Sequence, residues 1–544
     1  MIYTDVLIAG GGPVGLALAC ELGWRGVRAL LVEQNPEFGA EPVAKINLVN
    51  VRSMEFCRRW GIANQVRHGG FPDDYPMSVQ FLTALRGKRI ARLDYPSMGA
   101  QGEIAQSPVN RQRIPQHLLD PILRRAAQTF ESVDARFATR LEACTDHGTH
   151  VEATLADVAS GARTPVRARY LAACDGAGSA VRKALGIELI GETLSHSLGI
   201  YFRCPRLWQA HPHGKAIMNV LVDRGGMWAN LNMIDGFKTW RLSMVGATGP
   251  DGRPPAMDAA DVAAALRRML GEGDMPDHEV VGLFPWTRRA VVAETYRHGS
   301  CFLVGDAAHQ LSPTGGFGMN TGFGDAVDLG WKIAATLAGW GGPGLLDSYD
   351  AERRPIGARN VAEATSNFRN LRDLPTFDWI DADGAEADAR RAALGERFAA
   401  ETRKEWESLG VQLGYRYGAS PIVAEEPGAP PTDDPIRYAP SSWPGARAPH
   451  AWLAAGQSTL DLFGHGFRLL DFGAAAGSAA TVQRAAADAG VPLRVSAIGD
   501  RGIAALYERN LVMVRPDGHV AWRGDAAPPD PAALLNRLRG GPTA

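Results

Sequence analysis

The hydrophobic pattern of the first 33 residues predicts a strand, a helix and a second strand. Apolar residues dominate positions 3–9, a helical run continues to position 25, and a second apolar run covers positions 27–33. A glycine-rich segment separates the first apolar run from the helix. Because two parallel strands and their crossover helix need about 30 residues, this spacing predicts one complete βαβ unit.

The turn between the first strand and the helix has glycines at the spacing of a dinucleotide-binding fingerprint. Gly10 suits the tight turn, Gly12 lets a pyrophosphate approach the backbone, and Gly15 lets the helix pack closely on the strand. Glu33 ends the second strand 23 residues after Gly10, where an acid accepts hydrogen bonds from a ribose. The residues predicted to contact the nucleotide are Gly10, Gly12, Pro13, Val14, Gly15, Glu33 and Gln34.

Another apolar strand, residues 169–174, ends at Asp175 and Gly176. A carboxylate at the end of a buried strand is costly unless it is paired, so Asp175 is expected to pair with Arg182 in the following helix.

The simpler alternative for the first turn, glycines required only for positive φ angles, does not explain why Glu33 ends an apolar strand.

A further apolar strand, residues 300–304, ends at Gly305 and Asp306. A glycine-rich segment at 313–322 then leads into a predicted helix at 323–338. Asp306 can hydrogen-bond sugar hydroxyls, and the loop N–H groups and helix dipole can hold negative charge on a flat ring. Two nucleotide-type strand ends about 300 residues apart are hard to explain by structure alone.

Strands also dominate residues 187–284, and residues 71–98 alternate like strands. Such a run inside an α/β chain predicts a separate sheet, which is a natural wall for a substrate pocket. Tyr201 and Arg241 lie on its predicted strands, although residues of these types more often belong to the core or the surface. Gln116, in the first turn of a predicted helix, would be a surface glutamine on the pattern alone.

Composition favours an enzyme that acts on a small molecule. The 544 residues carry a net charge of −2, so no electrostatic footprint for nucleic acid or an anionic membrane is present. The six cysteines are scattered without a CxxC motif, which argues against a metal cluster and a disulfide framework. The apolar runs are shorter than a bilayer span, and the N-terminus lacks the basic start of a signal peptide. A cytoplasmic location is therefore expected.

The last hundred residues predict a small α/β unit after a proline-rich linker at 421–449. Strands are expected at 467–471 and 493–498, a helix at 480–489 and a hairpin at 511–522. No cysteine lies in this unit, so a role in packing or subunit association is expected rather than redox chemistry.

With these motifs, residues 1–360 resemble the single-component FAD-dependent aromatic hydroxylases of the para-hydroxybenzoate hydroxylase fold, in the branch of phenol hydroxylase and chlorophenol monooxygenase. The resemblance implies an α/β protein with a Rossmann-like FAD-binding domain, an inserted mixed β-sheet substrate domain and a thioredoxin-like C-terminal domain. Its implied ranges are 1–75, 104–186 and 284–360 for the FAD-binding domain, 76–103 and 187–283 for the substrate domain, 361–445 for a helical segment and linker, and 446–544 for the thioredoxin-like domain.

The resemblance also implies residue roles. The further FAD contacts that it implies are Lys45, Gln116, Asp175, Gly176, Gly305, Asp306, Gly316, Gly318, Met319 and Asn320. Two positions depart from the pattern: Lys45 stands where relatives usually have arginine, and Asn47 stands where they often have an acid or a histidine. Asn47, Tyr201, Arg241 and a water near Pro313 are the candidates for work at the substrate, and which group removes the phenol proton stays open.

The implied reaction uses FAD, NAD(P)H and O2 to hydroxylate a phenolic or amino-substituted aromatic compound through an FAD C4a-hydroperoxide. A tailoring oxygenase for a fused-ring polyketide is the alternative. A halogenase is disfavoured because the GWxWxIP motif is missing, and a non-catalytic FAD protein would not couple NAD(P)H oxidation to a substrate. The expected partners are a small aromatic substrate and O2, without a metal, a membrane or nucleic acid, and a homodimer is expected.

Overall fold

The computed structural model describes residues 1–36, 48–246, 256–372 and 376–542, so Lys45 and Asn47 lie outside the described residues. The helices are α1 (Pro13–Trp24), α2 (Val51–Arg59), α3 (Ala63–Arg67), α4 (Gln116–Gln128), α5 (Ala180–Ala184), α6 (Ala259–Leu270), α7 (Gly318–Leu337), α8 (Ser348–Arg372), α9 (Ala385–Trp406), α10 (Leu409–Leu413), α11 (Ser478–Asp488), α12 (Arg501–Tyr507) and α13 (Pro531–Leu538). The strands are β1 (Ile2–Ala9), β2 (Ala29–Val32), β3 (Leu48–Val49), β4 (Val79–Leu82), β5 (Arg89–Leu93), β6 (Gln112–Arg113), β7 (Val133–Arg136), β8 (Thr139–Asp146), β9 (Val151–Asp157), β10 (Arg163–Ala173), β11 (Leu189–Arg203), β12 (Met218–Asp223), β13 (Gly226–Met233), β14 (Thr239–Val245), β15 (Glu279–Ala293), β16 (Arg297–His298), β17 (Cys301–Leu303), β18 (His309–Gln310), β19 (Trp452–Ala454), β20 (Gln457–Ser458), β21 (Phe467–Asp471), β22 (Leu493–Ala497), β23 (Leu511–Val514) and β24 (Val520–Gly524).

The N-terminal hydrophobic pattern is confirmed as a βαβ unit. Strand β1 lies between β10 and β2 and is parallel to both, with α1 as the crossover. The sheet has the order β16-β17-β10-β1-β2-β7, and β9 pairs with both β10 and β8. Strand β17 is parallel to β10, so the carboxyl ends of β17, β10, β1 and β2 meet at one edge of the sheet. Nucleotide sites of such folds are built at this edge.

Helix α7 begins five residues before the predicted start at 323. The N–H of Thr321 already donates to the carbonyl of Phe317 at 2.8 Å, so the first helical residue is Gly318. Glycine has a low helix propensity, which hides this start from a reading of the sequence pattern. Helix α1, whose residues 15–23 are buried, contacts both α4 and α7.

The predicted inserted sheet is confirmed as a second sheet with the order β18-β15-β11-β14-β13-β12-β4-β5. Its neighbours are antiparallel except for β12 and β4, so the sheet is mixed. It has its own apolar core, which includes Phe81, Phe202 and Trp240. The predicted boundary between the substrate domain and the FAD-binding domain lies at position 284, and β15 belongs to this sheet on both sides of it. The domain ranges given above stay predictions.

The C-terminal unit has the predicted thioredoxin-like arrangement. Its sheet order is β22-β21-β23-β24, with β21 parallel to β22 and antiparallel to β23. The predicted hairpin is formed by β23 and β24, and α11 and α13 contact each other. Among all the described residues, no helix combines the length and the apolar character that crossing a membrane requires.

Candidate active site

The first turn is shaped by glycines that touch neighbouring backbone. Gly10 has a φ of +104°, and a side chain on it would overlap the carbonyl oxygen of Cys174. A side chain on Gly15 would overlap the carbonyl oxygen of Gly10, so α1 and β1 approach closely. At Gly12, in contrast, an added carbon would meet nothing within 4 Å. The surface at Gly12 is therefore open, and α1 starts there with no side-chain cap on its N–H groups.

Glu33 is held at the end of β2 by hydrogen bonds from both sides. Its Oε2 accepts from the N–H of Gly11 at 2.7 Å. Its Oε1 accepts from the backbone N–H and the Nδ2 of Asn35 at 2.9 and 2.7 Å. These bonds fix the carboxylate beside the glycine turn. The sequence reasoning missed Asn35, although an amide side chain two residues after an acid is a ready partner for it.

A cavity of about 880 Å³ lies along this edge of the sheet, within the size range of cofactor sites. Its lining joins separate segments and includes Gly10, Gly11, Gly12, Glu33, Gln34, Gln116, Asp175, Gly176 and Phe284. Gln116 is thus a cavity residue rather than the surface glutamine expected from the pattern, and its Nε2 donates to Asp120 at 3.0 Å. The structure therefore brings seven of the seventeen predicted FAD contacts into one space, namely Gly10, Gly12, Glu33, Gln34, Gln116, Asp175 and Gly176.

The predicted pair between Asp175 and Arg182 is wrong. The Oδ2 of Asp175 accepts from the backbone N–H of Val181 at 3.1 Å, while Nη1 of Arg182 donates to the carbonyl of Ile187 at 2.7 Å. The helix start at α5 satisfies one carboxylate oxygen locally, which makes a charged partner unnecessary for it. The other oxygen, Oδ1, is buried without a hydrogen-bond partner, and Asp175 is one of the residues that line the cavity.

The end of β17, at Gly305, packs against the glycine turn at residues 10–15. Gly305 has a φ of +64°, and an added carbon there would be 3.1 Å from the Val14 side chain. An added carbon on Gly322 would be 2.6 Å from the same valine. The Val14 side chain therefore lies between the β17 end and α7, and Pro13 precedes it as the first residue of α1. Asp306 follows Gly305 in a single 3-10 turn and is exposed.

A buried charge network holds the Gly305 turn. The Oδ2 of Asp325 accepts from the N–H of Gly305 at 3.2 Å and from Nε2 of His309 at 2.8 Å, and its Oδ1 accepts from Nε of Arg353 at 2.8 Å. Burial acts to raise the pKa of Asp325, but the Arg353 charge and the His309 contact outweigh it and lower the pKa. The sequence placed Asp325 on a helix and gave no signal of this network.

The loop before α7 is tied to β3 by Asn320. Its Oδ1 accepts from the N–H of Asn50 at 2.9 Å, and its Nδ2 donates to the carbonyls of Leu48 and Gly316 at 3.0 and 2.7 Å. The side chain is thus structural, which leaves the backbone of the first helical turn to face a ligand. At Gly318 an added carbon would meet nothing within 4 Å, so this helix start is open as well.

Tyr201 and Arg241 lie opposite each other on β11 and β14. Nη1 of Arg241 approaches the hydroxyl of Tyr201 at 3.4 Å, and Tyr201 is buried. The ring of Phe284 stands edge-on to the Tyr201 ring with centroids 5.1 Å apart. Because Phe284 also lines the cavity, the second sheet forms a wall of the same site. The candidate pair and the cavity are therefore neighbours.

Pro313 is exposed at the start of the loop, and its carbonyl accepts from the N–H of Gly316 at 3.0 Å.

The buried acid Glu405, on α9, reaches the loop that leads into α7, and no sequence pattern indicated it. Burial raises the pKa of Glu405 to about 7, although a hydrogen bond from the backbone of Gly315 and the charge of Arg288 act to lower it. Its distance along the sequence, about 90 residues, explains why no motif indicated it.

The residues of this edge fit a bound FAD. The open helix starts at Gly12 and Gly318 each present N–H groups without helical partners, which suits negatively charged groups. The unpaired Oδ1 of Asp175 is an acceptor for a ligand hydroxyl or amide. The cavity also connects Gly12 and Asp175 to Glu33 and Gln116.

Comparisons with known proteins identify the family. The FAD binding domain family matches residues 3–364, more than half of the chain, and the family described as aromatic-ring hydroxylase, C-terminal matches residues 441–542. Both matches agree with the order of units described above.

Relatives and solved structures that match nearly the whole chain indicate the same family. The 4-methyl-5-nitrocatechol 5-monooxygenase of Burkholderia sp is 34% identical, with 99% of this chain and 97% of the relative covered. A putative polyketide hydroxylase of Streptomyces halstedii is 33% identical, with 97% and 94% covered. The structure of chromopyrrolic acid-soaked RebC with bound 7-carboxy-K252c has a TM-score of 0.91 and 40% identity, covering 99% of this chain and 100% of that chain. The chain therefore belongs to the FAD-dependent aromatic-ring monooxygenases, oxidoreductases that bind FAD and take NAD(P)H as co-substrate.

Proposed function

We propose that this enzyme hydroxylates a phenolic or amino-substituted aromatic compound. In the balanced reaction an aromatic C–H, O2, NAD(P)H and one proton give the aromatic C–OH, water and NAD(P)+. The observation that supports this most is the shared cavity, whose lining combines the carboxyl ends of parallel strands with Phe284 of the second sheet. An FAD site and an aromatic wall therefore face the same space.

Bound FAD supplies the redox chemistry, and the residues of this chain hold it. The turn at Gly12 would hold the pyrophosphate, Glu33 the adenosine ribose and Gln116 the ribityl side. Asp306 would bind the ribityl or pyrophosphate portion. The backbone at the start of α7, from Gly318 through Met319 to Asn320, would stabilise negative charge on the flavin ring through the helix N-terminus. Lys45 would add a positive charge at the position where relatives usually have arginine.

The second sheet would enclose and orient the aromatic ring. Tyr201 and Arg241 would stabilise the phenolate form by hydrogen bonding and charge, with a water near Pro313 as a relay for the proton. Asn47 has no acidic or basic group, so it would serve as a hydrogen-bonding neighbour only. The buried wall around Tyr201 would also keep bulk water away from the reacting groups.

The substrate could instead be a fused-ring polyketide. The polyketide hydroxylase of Streptomyces halstedii, similar over nearly the whole chain, favours this alternative. Single-ring phenols and fused-ring phenols therefore both belong in the substrate panel, and the ratio of their kcat/KM values decides between the two proposals.

The experiment is a screen with purified FAD-loaded protein. Phenols, hydroxybenzoates, aminoarenes and fused-ring phenols are tested for stimulated NADH and NADPH oxidation, and the products are analysed by mass spectrometry under 18O2. A true substrate should stimulate oxidation and gain one labelled oxygen. Stimulated oxidation without labelled product would point to an uncoupled ligand, and no stimulation by any compound would contradict the proposal.

The setting of the enzyme follows from its composition. We infer a cytoplasmic enzyme that binds neither membranes nor nucleic acid, because its net charge is only −2 and both signs are mixed along the chain. We also propose a homodimer, with the C-terminal unit as a candidate contact. Size-exclusion chromatography with light scattering measures the mass, and a monomer at micromolar concentration would contradict the dimer.

A further inference from the structure

Arg113 is a buried arginine beside the loop that leads into α7. It lies on β6 opposite Leu48 of β3, and only 9% of it is exposed. The carbonyl of Leu48 accepts from Asn320, and an added carbon on Gly316 would be 3.2 Å from the Leu48 side chain. One short strand pair therefore separates the backbone of Arg113 from the flavin-facing loop.

The guanidinium of Arg113 has no protein partner among the described residues. Its Nε is buried without a hydrogen bond, and no carboxylate pairs with it. The charged neighbours that affect it are Arg241 and Arg111, both positive, and only Tyr75 acts in the opposite sense. Burial, followed by these two positive charges, lowers the pKa of Arg113 to about 9. In most of the protein molecules Arg113 is therefore still charged at neutral pH.

Two other buried arginines, Arg182 and Arg288, donate to the carbonyl of Ile187 and to the hydroxyl of Ser312, and four more buried arginines are neutralised by acids. The pairs are Arg52 and Arg447 with Glu55, Arg353 with Asp325, and Arg515 with Glu352 and Asp517. An uncompensated buried charge is strongly destabilising, so the charge of Arg113 requires an anionic partner. The missing partner of Arg113 is therefore an anion that enters with a ligand.

The position of Arg241 indicates which ligand brings this anion. Arg241 approaches the Tyr201 hydroxyl, Tyr201 packs edge-on against Phe284, and Phe284 lines the cavity. An anion beside both arginines would thus belong to a molecule whose ring meets an aromatic wall. Arginine guanidinium groups bind carboxylates in a planar, bidentate geometry.

We propose that Arg113, together with Arg241, binds a carboxylate of the aromatic substrate, so that the enzyme acts on aromatic carboxylic acids. This inference rests on the proposed hydroxylase function and narrows its substrate class. The carboxylate would fix the ring orientation against Tyr201 and Phe284, which in turn would set the ring position that receives oxygen.

The test uses FAD-loaded enzyme, the variant Arg113→Met and the control Arg111→Met, whose Nη1 in the wild type donates to the carbonyl of Trp406 at 2.9 Å. Ligands are matched pairs: salicylate and salicylamide, 4-hydroxybenzoate and 4-hydroxybenzamide, and 3-hydroxy-2-naphthoate and its amide. Binding is measured from the flavin absorbance change and by calorimetry. In the wild type at least one acid should bind more than tenfold tighter than its amide. Arg113→Met should abolish that preference while the amide affinity changes less than twofold.

A second readout does not depend on choosing the right ring. If Arg113 waits for a ligand anion, the ligand-free Arg113→Met protein should have a Tm equal to or above that of the wild type, because an unpaired buried charge is removed. A clearly lower Tm would mean that the arginine is structural and would overturn the proposal. Equal affinity of every acid and amide, or no acid binding at all, would overturn it too.

A loss confined to NADPH, with NADH unaffected, would assign the anion to the nucleotide phosphate and also overturn the proposal. Failure here is distinguishable from failure of the proposed function. If only the carboxylate inference is wrong, neutral phenols still stimulate NAD(P)H oxidation and gain oxygen. If the function is wrong, none of the aromatic compounds does so.

Discussion

Three glycines of one short turn differ in what a side chain would meet at each position. Gly10 needs a positive φ of +104°, and Gly15 needs the absence of a side chain because it touches the Gly10 carbonyl. Gly12 has an ordinary φ of −68° and free space beside it. Only Gly12 therefore has no structural reason to be glycine, and a ligand that approaches the backbone supplies one.

Replacing Gly12 with alanine should weaken FAD binding without unfolding the chain. The added carbon meets no protein atom within 4 Å, so the free energy of unfolding of the apoprotein should fall by less than about 1 kcal/mol, the cost of alanine at a helix N-cap. The methyl group would occupy the surface expected for the pyrophosphate, so the FAD Kd should rise at least about tenfold, or about 1.4 kcal/mol. Urea unfolding and flavin fluorescence measure the two quantities.

Gly10→Ala is the control for that variant. Alanine there would overlap the Cys174 carbonyl and adopt a strained φ, so the apoprotein itself should lose about 2 kcal/mol or more. If Gly12→Ala kept the FAD affinity of the wild type, the pyrophosphate would have to lie elsewhere.

Local spacing indicated some of the residues that line the cavity, but not which side chains bond to each other. The glycine turn, Glu33 and Asp175 could be found because strand ends and glycines are local signals. The Asp175–Arg182 pair was wrong because the start of α5 provides an N–H group that the spacing does not reveal. Glu405 was missed because its contact with the loop depends on tertiary packing, to which sequence patterns are blind.

Helix α9 contributes to the site as an element outside the FAD-binding motifs. It packs on β5 of the second sheet and on α8, and it places Glu405 against the loop that leads into α7. The loop is held from its other side by Asn320 and β3. A segment that the sequence marked only as charged and helical therefore supports the loop that leads into α7.

Glu405→Gln should reduce the pH dependence of stability. Burial raises the pKa of this acid from its usual 4.5 to about 7, so between these values the folded protein binds the proton and the unfolded chain does not. The Glu405 contribution to the free energy of unfolding therefore falls as pH rises from about 4.5 to 7. The variant lacks this loss and should gain about 3 kcal/mol relative to wild type at pH 8, with little gain at pH 4.5.

Thermal unfolding of the apoprotein from pH 5 to 8 measures this effect. Glu401→Gln, on the same helix but partly exposed and paired with Arg397 at 2.8 Å, is the matched control and should show no such trend. Parallel Tm curves for wild type and Glu405→Gln would mean that Glu405 stays charged in the folded protein throughout this range.

Two buried ion clusters join the C-terminal unit to the FAD-binding unit. In the first, Arg515 binds Glu352, Asp328 and Asp517, and Lys332 binds Asp328 at 2.6 Å and Glu352 at 2.5 Å. Burial acts to raise the pKa of Glu352, but Arg515 and Lys332 outweigh it and lower the pKa to about 2. Glu352 therefore stays ionised inside the protein at neutral pH.

The second cluster is centred on Glu55 of α2. Its carboxylate binds Arg447, Arg52 at 2.8 Å and the Ser107 hydroxyl at 2.7 Å. Arg447 is 392 residues away in the sequence, and Arg515 is 163 residues from Glu352. The order of three units could be predicted from motifs and periodicity, whereas these contacts could not, since nothing local relates partners so far apart.

Removing Arg515 should destabilise the protein strongly, because Glu352, Asp328 and Asp517 stay buried after its loss, and Lys332 pairs with only the first two of them. Breaking a buried cluster in this way costs about 3–5 kcal/mol, so Arg515→Met should lower the free energy of unfolding by that amount in urea denaturation. Methionine keeps much of the apolar stem, so the loss reports the charge rather than the packing.

The effect should extend to the cofactor, since Asp328 and Lys332 lie on α7, the helix whose start is proposed to hold the flavin ring. Flavin fluorescence should therefore show FAD release from Arg515→Met at a lower urea concentration than from wild type. Arg537→Met is the control: its pair with Glu425, at 3.0 Å, is exposed, and it should change stability by less than about 1 kcal/mol. If Arg515→Met behaved like this control, the cluster would be dispensable, and the C-terminal unit would have to be held by apolar contacts such as those of Trp331 and Trp340 with Phe467.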